Sequence, residues 1–196
     1  SYETGLICYD GSRFKVFDHT PESKPSLSSH HVRDIIIDAK GQIWIAHLAG
    51  IDIFQPNSLE ITHRIPLAGR DETVKARANC LYLAPDGAIW VAVTNKGVFR
   101  FPTGDPNHVE FVAEIMGAMY INQTPDGIIY CVSYDSGMHI FEKDRFIPSF
   151  PELVYDENNI SLIKPIENQH GHFTGFRLIL PDDSTHPYRY NAQLKS

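Results

Sequence analysis

The sequence predicts an all-β chain, folded as a β-propeller of four-stranded antiparallel blades, either with about four blades or as a partial piece of a larger propeller. The main observation is a passage that recurs along the 196 residues with a period of about 40 to 47 residues, which is typical of propellers and solenoids. Each copy contains a glycine, an aromatic residue, a second glycine and a phenylalanine in fixed order. These landmarks are Gly41, Trp44, Gly50 and Phe54; Gly87, Trp90, Gly97 and Phe101; and Gly127, Tyr130, Gly137 and Phe141.

Apolar alternation and turn residues predict the strands within each copy. Ile35 and Ile37 in one copy, and Leu81 and Leu83 in the next, have the period of two that a half-buried strand shows. The Pro-Asp-Gly sequence at 85–87 supplies a hairpin turn, because Pro fixes φ, Asp bonds the backbone ahead of it and Gly accepts positive φ. A second strand, a short loop, a third strand and a weaker fourth strand follow. Each copy is therefore interpreted as one propeller blade.

The two ends of the chain predict incomplete blades. Residues 1–20 match only the second half of a repeat, residues 158–180 match a degenerate closing blade without the aromatic, and 181–196 form a C-terminal extension. Complete blades are predicted over residues 28–66, 76–113 and 117–148. In one arrangement the N-terminal half blade completes the C-terminal blade and closes a ring. In the other, the chain is a fragment of a larger propeller, and both alternatives describe a single β-propeller domain or fragment.

Composition excludes several classes of protein. The net charge of −7 argues against a nucleic-acid partner, because phosphate binding needs clustered Lys and Arg. No apolar run approaches the ~20 residues that cross a bilayer, so no membrane segment is predicted in this chain. The sequence has no nucleophile elbow, phosphate loop or zinc-ligand spacing. We therefore predict no catalytic residues, no cofactor and no metal.

The histidines and cysteines are interpreted in structural terms. The pairs at 30–31 and 170–172 have metal-ligand chemistry, but they lack acidic or cysteine partners at matching repeat positions, so solvated histidines are the favoured interpretation. Cys8, Cys80 and Cys131 lie in or beside apolar strands, where a free cysteine behaves as a small buried hydrophobe. A bridge between Cys80 and Cys131 stays an open alternative. Trp44, Trp90 and Tyr130 are predicted to pack between blades.

Strand direction predicts the candidate site. Because the strands of a blade alternate in direction, the loops between second and third strands share one face with the connections between blades. These loops differ from copy to copy, as binding requires when a repeated scaffold carries unique contacts. The candidate ligand-binding residues on this face are His30, His31, His47, Arg77, Asn79, Asn95, Lys96, Tyr134 and Asp135.

The first copy resembles a known family. Its pattern Ile-x-x-Asp-x-x-Gly-x-Ile-Trp-Ile, at 35–45, is similar to the propeller repeat of two-component regulators, and the resemblance covers most of residues 5–141. It implies the extracytoplasmic, often periplasmic, sensor region of a bacterial hybrid histidine kinase, a group in which many members respond to oligosaccharides. It also implies neighbouring propeller or sandwich domains and a possible homodimer. Ala46-His47 departs from the Gly-Thr often found there, and the kinase itself is not in this chain.

Two functions from different classes follow. The first is a non-catalytic ligand-sensing module, which binds a small molecule or oligosaccharide on the loop face and relays the event to a kinase elsewhere. The alternative is a small propeller enzyme of the lyase or lactonase type, with His47, Asp135 and Glu114 as candidates for a metal or His/acid site. An interaction scaffold is the default for any propeller.

Overall fold

The computed structural model describes residues 5–9, 11–17, 26–67, 76–151, 162–167, 169, 173–179 and 185–189. All regular structure in these residues is β, in seventeen strands that form antiparallel sheets. The described part of the chain contains no helix, and hence none that could span a bilayer. The predicted all-β propeller class is confirmed.

Three complete blades follow one another along the chain, each a four-stranded meander in sequence order. The first blade contains β3 (Val32–Ile37), β4 (Ile43–His47), β5 (Gly50–Gln55) and β6 (Glu60–Ile65). The second contains β7 (Ala78–Leu83), β8 (Ile89–Val93), β9 (Gly97–Phe101) and β10 (Glu110–Ala113). The third contains β11 (Ala118–Gln123), β12 (Ile129–Ser133), β13 (Gly137–Glu142) and β14 (Arg145–Phe150).

Smaller sheets lie at the two ends. The N-terminal pair is β1 (Leu6–Tyr9) with β2 (Phe14–Phe17), and the C-terminal sheet contains β15 (Leu162–Glu167), β16 (Phe173–Ile179) and β17 (Thr185–Arg189). β17 lies within the predicted C-terminal extension and pairs with β16. Among the described strands, β1 and β2 pair with each other and not with the C-terminal sheet. The degraded turn predicted at 168–171 lies outside the described residues except for Gln169, and the predicted domain boundaries stay a prediction.

The second glycine of each repeat is required where the third strand begins. Gly97 has φ +118°, and a Cβ placed on it would lie 2.1 Å from the carbonyl oxygen of Ala113 on the fourth strand. Gly50 repeats this arrangement with φ +119° and a distance of 2.2 Å to the Ile65 oxygen. A side chain at either position would collide with backbone, so only glycine lets the third and fourth strands close here.

The aromatic landmarks meet across the seams between blades. Trp44 of the first blade contacts Phe101 of the second edge-on, with ring centroids 4.9 Å apart. Trp90 of the second blade contacts Phe141 of the third in the same way, at 5.1 Å. These contacts are typical of aromatic pairs in a core and stabilise each seam beyond the area that they bury.

The cysteines divide into two kinds. Cys80 and Cys131 are buried in the apolar cluster between the second and third blades, and both are free thiols. Burial raises the pKa of Cys80 to about 12 and also raises the pKa of Cys131, so neither thiol ionises readily. Cys8 is exposed, which corrects the prediction of a buried thiol there. The reason is that β1 lies in a two-stranded sheet, in which it pairs with β2 alone among the described strands, so fewer neighbours cover it.

Candidate functional site

The candidate site is the loop face, which we define by the connections at 48–49, 94–96 and 134–136 together with segments 26–31, 76–77 and 114–117. The first three connections join second to third strands, and the other segments join one blade to the next. The opposite turn face carries the turns at Gly41, Gly87 and Gly127. Strand direction alone therefore separates the variable loops from the repeated turns.

A chain of backbone hydrogen bonds crosses the loop face from the second blade to the third. The Thr94 amide donates to the carbonyl of Arg77 at 3.0 Å, and the Gly117 amide donates to the carbonyl of Thr94 at 2.7 Å. The Tyr134 amide in turn donates to the Gly117 carbonyl at 3.1 Å. The loops of two blades are thus held to each other by main chain, so the side chains that they carry have a fixed spacing.

Side-chain amides reinforce this link. Asn79 Nδ2 donates to the Thr94 hydroxyl and to the carbonyl of Ala118, the latter at 2.9 Å. Asn95 Oδ1 accepts from the Arg77 amide at 3.2 Å. Asn79 and Asn95 therefore position the loops, while Arg77 is exposed and Lys96 is partly exposed beside them.

The third blade adds a turn held by Ser133. Its hydroxyl donates to the Met116 carbonyl at 2.6 Å and accepts from the Asp135 amide at 2.9 Å. A Cβ on Gly117 would lie 2.6 Å from Asp135 Oδ2, so glycine at 117 is what lets the carboxylate lie against this segment. Tyr134 is 43% exposed beside it. Sequence reasoning missed Gly117, whose only signal was its place next to the variable loop.

His47 lies elsewhere and is fully buried. Its Nδ1 accepts from the Ala49 amide at 3.1 Å, which leaves the proton of a neutral ring on Nε2, 3.4 Å from Asp52 Oδ1. The Nε2 atom of His47 makes no hydrogen bond to any described residue. Because its side chain is enclosed, His47 does not present the ring to a ligand on the surface.

Asp52 is the centre of this buried polar cluster. It is fully buried and accepts from both the amide and the hydroxyl of Ser28, at 2.6 and 2.7 Å. Burial alone raises the pKa of Asp52, but His47 and the two bonds from Ser28 outweigh it, so the net pKa is lowered. The carboxylate thus anchors segment 26–31 to the first blade. Sequence reasoning missed this role because Ile51-Asp52-Ile53 has the alternation of a strand with one polar face.

The predicted site residues therefore fall into two groups. Arg77, Asn95, Lys96, Tyr134 and Asp135 lie on the loop face along the seam of the second and third blades, and Asn79 lies next to it at the start of β7. His30 and His31 are partly buried on segment 26–31, with ring centroids 4.1 Å apart, and belong with His47 and Asp52 at the first blade. Among the described residues, no group of three His, Cys, Asp or Glu side chains is placed to hold a metal ion.

Comparisons by sequence and by structure gave different results. No known family model and no curated protein matches the chain by sequence. Solved structures do match. One is an extracellular domain assigned to a one-component system of B. thetaiotaomicron, with a TM-score of 0.66, 15% identity, and coverage of 97% of this chain and 29% of that one.

A second match is the extracellular domain assigned to a hybrid two-component system of B. thetaiotaomicron, with a TM-score of 0.64 and 19% identity, covering 97% of this chain and 26% of that one. Streptogramin B lyase matches at a TM-score of 0.52 and 14% identity, covering 93% of this chain and 60% of the lyase. The chain thus spans less than a third of the length of the sensor domains that it resembles. At these identities the matches establish the propeller fold, and they include the kind of sensor region that the repeat pattern predicted.

Proposed function

We propose that this chain is a non-catalytic ligand-sensing propeller module from the extracytoplasmic region of a bacterial two-component receptor. The observation that carries the proposal is the hydrogen-bonded loop face of the second and third blades, which holds chemically different side chains at fixed positions on a repeated scaffold. The resemblance of the fold to extracellular domains of two-component systems supports it.

The chemistry of the loop face favours an uncharged, polyhydroxylated ligand such as an oligosaccharide. Arg77 and Lys96 supply cations and Asp135 supplies a carboxylate, so the face has no single sign of charge that would select an ion. Sugar hydroxyls both donate and accept hydrogen bonds, which matches a set of mixed donors and acceptors. The exposed ring of Tyr134 offers an apolar surface with a polar tip for a sugar ring.

Signalling would follow because ligand binding is coupled to the arrangement of the receptor's domains. A ligand that bridges the loops of two blades shifts the equilibrium between two arrangements of the receptor only by its different affinity for each. The neighbouring propeller or sandwich domains implied by the sequence resemblance would be the elements that move. Homodimerisation of the receptor is part of the same proposal.

The test is a binding experiment with matched variants. The purified chain is titrated calorimetrically with a panel of neutral oligosaccharides of different linkage. We expect one class to bind, and we expect Tyr134→Ala and Asp135→Asn to weaken its binding about tenfold or more, since each removes a direct contact. Asp144→Asn and Lys143→Gln are the controls, because they change exposed side chains of the same blade on the turn face.

Two results would contradict the proposal. Saccharide binding that the loop-face variants leave unchanged would place the site elsewhere on the propeller. Turnover of a substrate, lost in Asp135→Asn or in a Glu114→Gln variant, would favour the enzyme alternative. The structure offers that alternative little support, because His47 is enclosed with Asp52 in the first blade rather than placed beside Asp135.

A further inference from the structure

An exposed serine and a buried histidine form a hydrogen-bonded pair at the edge of the loop face. Ser136 Oγ lies 2.8 Å from His139 Nε2. Ser136 is exposed on connection 134–136, whereas His139 is 8% exposed on β13. Asp52 and Phe99 hold the same position in the first and second blades, two residues after the strand-opening glycine, so the repeated fold does not require histidine here. The pair is therefore particular to the third blade.

Burial determines the charge of His139. It lowers the pKa of the ring from the usual 6.5, so the ring is neutral at pH 7. A neutral ring can leave Nε2 without a proton, and Ser136 then donates its hydroxyl hydrogen to Nε2. The lone pairs of the serine oxygen are left for the surface. In this state Ser136 is a hydrogen-bond acceptor for a ligand.

A second acceptor lies next to Ser136. The Asp135 carboxylate packs against Gly117, where an added Cβ would lie 2.6 Å from Oδ2. No described residue donates a hydrogen bond to this carboxylate. The Ser133 hydroxyl accepts from the amides of both Asp135 and Ser136, at 2.9 and 3.1 Å, so the two acceptors have a fixed spacing. Two neighbouring acceptors select a ligand group that donates.

Apolar side chains flank the two acceptors. Met116 is 48% exposed and Tyr134 is 43% exposed. Their main chains lie close together, because the Met116 carbonyl accepts from the Ser133 hydroxyl at 2.6 Å and the Tyr134 amide donates to the Gly117 carbonyl at 3.1 Å. Methionine and tyrosine offer an apolar surface that a methyl group can cover. The ligand group that fits here combines an N–H donor with a methyl group.

We propose that the loop face recognises an N-acetylated sugar. The N–H of its acetamido group donates to the acceptors Asp135 and Ser136. The methyl group of the acetamido packs against Met116 and Tyr134. His139 is a positioning residue, because it acts on the ligand through the Ser136 hydroxyl. This inference rests on the proposed sensing function and names the class of saccharide.

Protonation of His139 changes what Ser136 offers to the ligand. In the charged ring both nitrogens carry protons, so Nε2 donates to Ser136 Oγ. The hydroxyl hydrogen then turns toward the ligand and competes with its N–H. Because the pKa of His139 is lowered, the preference for the acetamido group should persist at neutral pH and decline only below pH 6.5.

Other charged or titratable groups surround His139, but it forms no ion pair with any described residue. On the elements around it, these groups are Tyr130 and Cys131 of β12, Glu142 of β13, Arg145 of β14, Tyr134 and Asp135 of connection 134–136, Glu114 of segment 114–117, and Arg100 and Glu110 of the second blade. A variant of His139 is therefore needed to assign the pH dependence.

The test compares two trisaccharides that differ in the proposed group alone. Triacetylchitotriose and cellotriose are both β-1,4-linked, and the first has an acetamido group where the second has a hydroxyl. Calorimetric titration at about pH 7.5 should show that the unaltered chain binds triacetylchitotriose about tenfold more tightly or better. Ser136→Ala and Met116→Ser should each reduce this ratio about threefold or more. Ser136→Thr keeps the hydroxyl and should keep the ratio, and Ser58→Ala is the control for an exposed serine on the turn face.

Titrations between about pH 7.5 and pH 5 test His139 separately. The affinity ratio should fall about threefold or more in the unaltered chain as His139 becomes protonated. It should not change with pH in His139→Gln, whose amide does not titrate. A purely structural histidine would alter the affinity for both sugars and leave the pH dependence of their ratio unchanged.

Several results would overturn the inference. Equal affinity for the two trisaccharides, or a ratio that Ser136→Ala and Met116→Ser leave unchanged, would rule out the acetamido contact. A ratio that falls with pH equally in His139→Gln would rule out the role of His139. If only a sugar without an acetamido group binds, and Tyr134→Ala weakens its binding, the sensing function stands and the saccharide class is wrong. If no saccharide binds, both proposals fail.

Discussion

The first and second blades share one fold but fill two equivalent buried positions with opposite chemistry. Two residues after the strand-opening glycine, the first blade has Asp52 and the second has Phe99, which are 0% and 7% exposed. Three residues before the turn glycine, the first blade has Asp38 and the second has Ala84. Both carboxylates of the first blade are hydrogen-bonded. The scaffold thus fixes where a side chain is buried but leaves its chemistry open.

The neighbours of each blade explain the difference. Phe99 packs in the apolar cluster that joins the second blade to the first, where a complete sheet lies on each side. Asp52 instead meets segment 26–31, whose amide and hydroxyl groups at Ser28 need acceptors. An aromatic ring suits a seam between two sheets, and a carboxylate suits a polar loop that must be held in place.

The largest effect is expected where both blades are alike. Gly50→Ala and Gly97→Ala should each destabilise the chain by about 4 kcal/mol or more, because the new methyl group collides with a carbonyl oxygen at positive φ. Gly41→Ala is the control: its turn has open space around the Cβ, so it should lose only about 1–2 kcal/mol from its positive φ. Urea unfolding followed by circular dichroism measures all three. Similar losses for Gly50→Ala and Gly41→Ala would contradict the close approach of β5 and β6.

Removal of the buried Asp52 carboxylate should have the second-largest effect on stability. Asp52→Ala is expected to cost about 3 kcal/mol at pH 7, because it leaves Ser28 and His47 without their charged partner. Proteolysis within segment 26–31 should also become faster, since that segment loses its anchor. Phe99→Ala should cost a similar amount through a cavity, without loosening this segment. Equal proteolysis in the two variants would show that Asp52 does not anchor the segment.

The pH dependence separates the two positions further. The folded-state pKa of Asp52 is lowered, so its ionised form stabilises the fold at pH values above the unfolded pKa of about 3.9. This contribution is lost as the pH falls from about 4 through the folded pKa. The stability difference between the wild-type chain and Asp52→Asn should therefore shrink below about pH 4. The stability difference between the wild-type chain and Phe99→Leu should stay constant with pH in the same urea titrations. If the differences for Asp52→Asn and Phe99→Leu declined in parallel, ionisation of Asp52 would not be the cause.

The smallest effect concerns the tryptophans. Trp44 Nε1 donates to Asp38 Oδ2 at 3.0 Å, whereas the second blade has the methyl group of Ala84 in place of that acceptor. Trp44→Phe should therefore cost about 1 kcal/mol more than Trp90→Phe, which is the net value of one buried hydrogen bond. When Asp38→Ala is added to each of the two Trp→Phe variants, their stability losses should become equal. If Trp44→Phe still costs more in that background, the origin of the difference is packing against Phe101 and not the hydrogen bond.

Much of the fold could be predicted because its determinants are local. The turn at 85–87 and the glycine at 97 are chemical requirements of single backbone positions, and their repetition predicts the blades. The site was harder to predict, because burial on a blade depends on what lies against each face. Asp52 resembles a solvent-facing strand residue and His47 resembles a loop ligand, yet segment 26–31 and the neighbouring strand enclose both.

The sequence by itself determined the all-β class, the blade period, the turn positions and the face on which the variable loops gather. Each of these follows from φ preferences, alternation and strand direction, which act within a few residues of one another. Only the tertiary structure decided that Asp52 would be buried, that Cys8 would be exposed and that Ile35 would be exposed where Leu81 and Ile121 are buried. The reason is physical: exposure is set by the sheet that packs alongside, and identical repeats meet different neighbours.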